Sequence, residues 1–440
     1  MLKKSLYLAA FSLLLVALIK DSLLADAGPQ HQVRQSRPIQ LGTSGGDIND
    51  ISSMYCCSGT LGALVEDGSF QYVLSNNHVL ARTNIGTLGE GIIQPGLIDQ
   101  YCAKNMADIV ANLSDFVAIR FKAKKPIPLN EIDAAIAQVV PGAVEPNGAV
   151  LDVGLISPET AEAVLGQAVK KSGRTTGLTT GIIQGIDVTV DVAYTRECGM
   201  GGIQVARFIN QIVIGPAGFC AGGDSGSLIV EDAASNPRAI GLLFAGSPTI
   251  TLANPINAVL SAFGVTMAGG VPPAPKPTGT ITGTVTRSTD GSPIEGAKVA
   301  VDTGESVATE PNGMYLITGV VIGNHSVNVS ADDFKAQTKT ATVYEGQNTV
   351  VNFSLRPSKA RGKALGHAAI DHAKQVKKQH EQEIFQVSGV VGTGVGLSET
   401  GQPVIDIYFK DDLAKSRAQI PGVLDDVPVR ATVTGQFEAF

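Results

Sequence analysis

Tryptophan is absent from the 440 residues, and aromatic side chains together make up only 5%. With 50 glycines beside that scarcity, the composition argues against long helices and for many short strands joined by turns. Charge is also sparse, at 17% of residues with a net charge of −7. A negative net charge gives no hint of the clustered Lys and Arg that a phosphate backbone requires, so nucleic acid is not an expected partner, although one basic segment runs from Arg356 to about Lys378. Cysteine is limited to five residues, Cys56, Cys57, Cys102, Cys198 and Cys220, all before residue 270. Their spacings do not resemble a zinc site, and no His sits close to a pair of them. No metal and no cofactor is expected. The favoured pairing is Cys198 with Cys220 and Cys102 with one of the adjacent pair, although spacing alone does not fix it. Past the first residues, no apolar run is long enough to span a bilayer, so stable membrane insertion is not expected.

What is present begins with an export signal. Lys3 and Lys4 precede an apolar run from Leu6 to Ile19, and Ala25-Asp26-Ala27 offers a small-x-small cleavage site. Residues 1–27 therefore read as a signal peptide, with an uncleaved anchor as the alternative. A secreted or periplasmic location follows, and disulfides are permitted there.

The chain divides by composition. From 42 to 265, short β-like runs alternate with Gly and Asn turns: 70–76, 115–121, 134–140, 187–194, 210–215, 226–230 and 239–246. That many strands suit a double barrel or a sandwich. A short helix is expected over 157–165, with Ser157 capping and Pro158 opening the first turn. The Pro-rich stretch 269–277 reads as a semi-rigid linker. Residues 278–355 alternate strictly enough for a small β-sandwich of about seven strands. A helix over 364–385 and strands over 387–440 make a final α+β module, taken as 364–440.

The strongest chemical signal is the Gly-rich string at 221–230 around Asp224-Ser225. A serine hydroxyl needs an adjacent base to become nucleophilic. It also needs backbone N–H groups aimed at the developing oxyanion, which Gly223 and Ser225 can supply. The base has one candidate, because His78 is the only histidine between Leu41 and Pro272. It follows the apolar run Tyr72–Leu74, at a strand-to-loop edge. Asp133 stands immediately before the apolar run at 134–140 and is the expected orienting acid, with Asp115 and Asp108 as rivals. The order His, Asp, Ser is that of chymotrypsin-type double barrels.

On these three blocks and the segment 169–181, residues 42–262 resemble trypsin-like serine peptidases, in a bacterial branch related to the narrow-leaf-type plant peptidases. The resemblance implies two six-stranded β-barrels with the site between them. It implies His78 as general base, Asp133 as its orienter, Ser225 as nucleophile and the Gly223 and Ser225 amides as the oxyanion hole. The pattern departs from digestive members at several points. Gly226 and Ser227 follow the serine, and the substrate-edge segment reads Phe244-Ala245-Gly246. The pocket-floor position is Phe219, which supports no preference for Lys or Arg. No Ile-Val-Gly-Gly-like start is present, so pairing of a new N-terminus with Asp224 is not expected.

Residues 278–355 resemble a carboxypeptidase regulatory-like domain, non-catalytic, with a spacer role expected and a surface or carbohydrate ligand as the sharper alternative. The last module resembles a small domain that accompanies bacterial trypsin-like peptidases, and masking the cleft or assisting folding are its expected roles. The expected function is a secreted serine endopeptidase acting on protein or peptide substrates through an acyl-enzyme. The alternatives are a catalytically weak barrel pair used for binding, and an adhesion protein.

Overall fold

A computed structural model of the chain describes residues 30–122, 125–269, 277–302, 306–331, 334–357, 367–411 and 414–439. The expected signal segment 1–27 and the core of the linker, 270–276, lie outside these residues, as does the side chain of His367.

The first barrel is built from Thr43–Asp47 (β1), Gly59–Leu61 (β2), Ala63–Glu66 (β3), Gln71–Ser75 (β4), Gly91–Ile93 (β5), Ile109–Phe116 (β6) and Ala135–Val139 (β8). Leu129–Asn130 (β7) lies between the last two in sequence but pairs with the second barrel. β2 and β3 are two halves of one bent strand. β2 pairs β1 while β3 pairs β4, which closes the order β3-β4-β8-β6-β5-β1 into a ring of six. Gly62 makes the bend: a Cβ there would overlap the carbonyl oxygen of Gly226, so only glycine permits the approach. Leu61, Leu64, Val73, Leu74, Ile92, Leu113 and Ala137 fill the interior.

The second barrel comprises Ala168–Gly173 (β9), Gly177–Glu197 (β10), Met200–Gly215 (β11), Leu228–Glu231 (β12), Ala239–Gly246 (β13) and Thr251–Pro255 (β14). The pairings run β10-β9-β12-β13-β14-β11, and β11 returns to β10, so six strands close on themselves. This is the expected double six-stranded barrel. Closure removes the exposed edges that open sheets carry. Thr266–Met267 (β15) returns to the first barrel beside β3.

Eight strands follow: Thr278–Arg287 (β16), Lys298–Val301 (β17), Ser306–Ala308 (β18), Met314–Val321 (β19), Gly323–Ser330 (β20), Gln337–Val343 (β21), Asn348–Val350 (β22) and Phe353–Leu355 (β23). They form two four-stranded sheets over a core of Ile281, Val285, Val299, Val327, Val329 and Phe353. The last module holds Val390–Leu397 (β24), Pro403–Phe409 (β25), Val423–Leu424 (β26), Val427–Val433 (β27) and Phe437–Ala439 (β28).

Helices are few. Asn77–Leu80 (α1) is a single turn carrying His78, and Ile256–Phe263 (α2) packs against β13 and β14, with Ile256 and Val259 joining the buried cluster that also fills the first barrel. His367–Ile384 (α3) and Ala414–Arg417 (α4) belong to the last module. α3 buries Ala373, Val376 and Ile384 against Val395, Ile405, Ile407 and Phe409. β24 pairs antiparallel with β10, so this module's sheet continues that of the second barrel. Lys377, almost wholly buried, donates to the Asp187 carbonyl at 2.7 Å and pins α3 to β10. No helix among the described residues is long and apolar enough to cross a membrane.

Three expectations need correction. Residues 157–165 are not helical: Ala161 N–H donates to the Ala239 carbonyl and Thr160 bridges Ala239, so pairing with the barrel overrides local helix propensity. Ser157 Oγ accepts the Glu159 N–H instead, in a tight turn. The strand expected over 115–121 ends at Phe116, because its partner β8 begins at Ala135, the residue opposite Phe116. The disulfides are Cys56–Cys102 and Cys57–Cys198, which removes the expected Cys198–Cys220 bridge. Cys220 is a free thiol held by the Thr251 hydroxyl.

Candidate active site

The two barrels meet where their loops carry His78 and Ser225. β4 is an apolar strand of the first barrel, and its end delivers Ser75, Asn76 and the turn α1. The Asn76 side chain donates to the Asp133 carbonyl at 2.7 Å, which fastens that turn to the start of β8. His78 Nδ1 then lies 2.6 Å from Asp133 Oδ2, and His78 N–H points to Asp133 Oδ1 at 3.3 Å. Of the three acids considered from sequence, only Asp133 is brought to the imidazole. Asp115 is exposed, and Asp108 pairs with Arg34 at 2.6 Å.

Asp133 is wholly buried and crosses between barrels. Its N–H donates to Asn254 Oδ1 on β14 at 3.0 Å. Its Oδ2 also accepts the Tyr194 hydroxyl at 2.9 Å, from β10. Burial first, and then the neighbouring Asp133 charge, pushes the Tyr194 phenol well above its ordinary range. Tyr194 therefore stays protonated and acts as a donor. Its ring also meets the His78 ring edge-to-face at 5.9 Å between centroids.

Ser225 stands on a loop fixed from three directions. Its carbonyl accepts Thr60 N–H at 2.8 Å, and the Gly223 carbonyl accepts Thr60 Oγ1 at 3.0 Å. Gly226 N–H donates to the Leu243 carbonyl at 2.8 Å. Gly226 has φ +92°, and a Cβ on it would strike the Ser75 hydroxyl and the Thr60 carbonyl. The loop after the serine thus presses on the strand that leads to His78. Gly223 also has a positive φ, at +95°. Among the described residues, the N–H groups of Gly223 and Ser225 have no backbone acceptor. The Ser225 hydroxyl donates to the Phe244 carbonyl at 3.2 Å.

Beneath the loop, Asp224 is buried with a full set of partners. Thr175 N–H and Thr176 N–H donate to Oδ1 at 2.8 and 3.1 Å, and Ala221 N–H and Thr176 Oγ1 donate to Oδ2 at 3.0 and 2.7 Å. Lys171 Nζ lies 3.4 Å away. Burial pulls the Lys171 ammonium below the usual lysine range, while Asp224 opposes that shift. The string 169–181 that carries the family resemblance supplies all of these groups but the Ala221 N–H, although its spacing gives no hint of that task.

A cavity of about 240 Å³ opens beside His78, walled by Val79, Arg82, Tyr194, Arg174, Gly223 and Ala439, among others. Arg174 is held by a bidentate pair with Asp99, at 2.7 and 2.6 Å. The Cys57–Cys198 bridge ties the first barrel to the β10–β11 tip across this cavity. Asp50, Cys57 and Cys198 are close enough to suggest a metal site. Their two sulfurs are bonded to each other, which removes the thiolate donors such a site needs. Phe219, expected at the pocket floor, is instead buried among Val169, Ile214 and Leu243 in the second barrel's core and is not one of the residues that wall this cavity.

Two family models match parts of the chain: the carboxypeptidase regulatory-like domain over 280–356 and the Nal1 C-terminal domain over 116–253. No curated protein matches. Solved structures similar to the chain include a glutamic acid-specific serine protease at 22% identity and TM-score 0.36, covering 52% of this chain and 100% of that one. Thermobifida fusca protease A is 20% identical with TM-score 0.35, covering 53% and 99%. Cellulomonas bogoriensis chymotrypsin is 18% identical with TM-score 0.34, again covering 53% and 99%.

Proposed function

We propose that the chain is a secreted serine endopeptidase in which Ser225 is the nucleophile, His78 the general base and Asp133 its orienting acid. The observation that carries this reading is the 2.6 Å contact between His78 Nδ1 and the buried carboxylate of Asp133, made at the seam where the Ser225 loop touches the His78 strand. A carboxylate on Nδ1 fixes the tautomer that leaves Nε2 as the proton acceptor.

In this mechanism the Ser225 hydroxyl rotates off the Phe244 carbonyl and gives its proton to His78 Nε2 as Oγ attacks the scissile carbonyl carbon. The carbonyl oxygen becomes an oxyanion facing the Gly223 and Ser225 N–H groups, each such donor worth on the order of 3 kcal/mol of barrier. His78 returns the proton to the leaving amine, and the C–N bond breaks to give an acyl-enzyme. Water, deprotonated by His78, then releases the acid and restores Ser225.

The proposed units are the peptidase at 42–265, the sandwich at 278–355 as a spacer and the module at 364–440. Two disulfides fit an oxidising compartment outside the cytosol. A carbohydrate-binding role for the sandwich gains no support. The alternative is a barrel pair used for binding, in which the Ser225 hydroxyl keeps its bond to the Phe244 carbonyl at 3.2 Å.

A fluorophosphonate probe separates the two, since it labels only an activated serine. Labelling of the intact protein is expected at Ser225, with none in Ser225→Ala or His78→Ala and a strong reduction in Asp133→Asn. Labelling that survives Ser225→Ala, or that is lost in Asp115→Asn and kept in Asp133→Asn, overturns the assignment.

A further inference from the structure

The strand β28 occupies an unusual place. It pairs antiparallel with the end of β13, Ala439 opposite Ala245 and Glu438 opposite Gly246. Its other edge runs parallel to β10, Phe437 opposite Val192 and Glu438 opposite Ala193. A three-residue segment from the end of the last module is therefore inserted between two strands of the second barrel. Ala439 is a wall of the cavity that also holds His78, Tyr194 and Gly223.

The register matters. Phe244 is the next residue of β13 beyond this pairing, at a bulge between Leu243 and Ala245, so a peptide laid antiparallel on β13 in this way runs towards Phe244 past the Ala439 position. Phe244 is the residue whose carbonyl holds the Ser225 hydroxyl. The β13 edge thus leads an extended peptide towards the Ser225 loop. This is strand addition, in which main-chain hydrogen bonds supply affinity and alternate side chains find pockets.

The pockets alternate as that requires. Phe437 is fully buried beside Phe244 and Tyr408, its ring edge-on to Tyr408 at 6.0 Å. Glu438 points to solvent, and Ala439 turns towards the cavity. Gln436 Nε2 adds a bond to the Asp191 carbonyl at 3.4 Å.

Resting on the peptidase reading above, we propose that β28 occupies the substrate strand site of β13 and holds the enzyme self-inhibited, and that the site takes extended peptides with an aromatic side chain at the Phe437 position. The inhibitor is tethered through β24, which is already paired to β10, so it competes at an effective concentration in the millimolar range. An external peptide must displace it.

The test compares fluorophosphonate labelling of Ser225 in the full chain and in a chain ending at Glu438, which keeps Phe437 in its core. At least tenfold faster labelling of the shorter chain is expected. The peptide Gln-Phe-Glu-Ala-Phe, added to the shorter chain, is expected to slow labelling again and to inhibit hydrolysis competitively, an effect that a merely structural role for β28 would not produce. Ala439→Pro in the full chain, which loses a strand N–H without shortening the chain, is expected to label faster as well. Equal labelling rates in all three proteins, with unchanged melting temperatures, overturn the inference and leave the peptidase reading standing. Absence of Ser225 labelling in all three folded proteins removes that reading, and the inhibition with it. Faster labelling that the peptide does not reverse also overturns the inference.

Discussion

Lys171 and Asp224 form an ion pair 3.4 Å apart with both side chains fully buried, directly under the loop that carries Ser225. A buried pair is costly to build but far costlier to halve, because one charge is left without compensation. Lys171 also donates to Thr176 Oγ1 and to the Gly177 carbonyl, so the whole 171–177 turn is organised around it. The turn supplies a cation to Asp224 from within the second barrel.

Lys171→Met is therefore expected to lower unfolding free energy by roughly 3–5 kcal/mol. The double variant Lys171→Met/Asp224→Asn is expected to recover part of that loss, since the amide oxygen introduced in place of the carboxylate still accepts the threonine N–H groups without a bare charge. Denaturant unfolding of the two variants checks this. A double variant no more stable than the single one shows that the pair is not what supports the loop.

The position of Asp133 leads to a second expectation. Tyr194 and His78 both converge on its Oδ2, at 2.9 and 2.6 Å. Tyr194→Phe removes one donor and leaves more negative charge for the imidazolium to feel. The acid limb of the kcat/KM profile is therefore expected to move to higher pH, because the protonated His78 is better stabilised. Without the Tyr194 donor the Asp133 carboxylate is also less firmly aimed at His78, so kcat is expected to fall as well. Steady-state kinetics across pH on a chain lacking Ala439 and Phe440 measure both effects. An unmoved acid limb means that Tyr194 only packs against the ring.

Where the signal is local, the sequence marks residues that the structure then carries to the seam between the barrels. Ser225 stood in a Gly-rich turn, His78 was the lone histidine of its region, and Asp133 abutted an apolar strand. Tyr194 left no such mark, because in an alternating strand it looks like any core residue. Lys171 sits in a string whose resemblance was visible, but its partner is 53 residues away and reached only by barrel closure. The same limit explains residues 157–165: their composition favours a helix, and the Ala239 strand edge takes their hydrogen bonds instead. The β24–β10 pairing joins positions about two hundred residues apart, and neither strand's pattern names the other.

The disulfides give a third prediction. Cys57–Cys198 closes a loop of 141 residues and Cys56–Cys102 one of 46. In the chain-entropy account, the longer loop stabilises more, by roughly 1 kcal/mol here. Cys198→Ser is thus expected to lower the melting temperature more than Cys102→Ser. It is also expected to loosen the cavity wall between Cys57 and the β10–β11 tip, raising KM for extended peptides. A larger loss from Cys102→Ser reverses the ranking and points to local packing around Ile48, Ile93 and Leu97 as the stronger effect.

Asp50 lines the same cavity and is 8% exposed. Burial raises its carboxyl from an ordinary 3.8 to about 7, with Arg82 and His78 pulling the other way. A raised carboxyl pKa means that the folded chain holds this proton more tightly than the unfolded chain does. Between about pH 4 and pH 7 the folded state therefore binds more protons at this site, and stability falls as pH rises through that window. Above it the penalty is complete. Asp50→Asn removes the titration and keeps the shape. It is expected to match the parent near pH 4 and to exceed it at pH 8 by on the order of 4 kcal/mol at most. Urea unfolding at the two pH values measures the difference. A gap that stays constant between them would mean that Asp50 is already ionised at acid pH, held by Arg82 despite its burial.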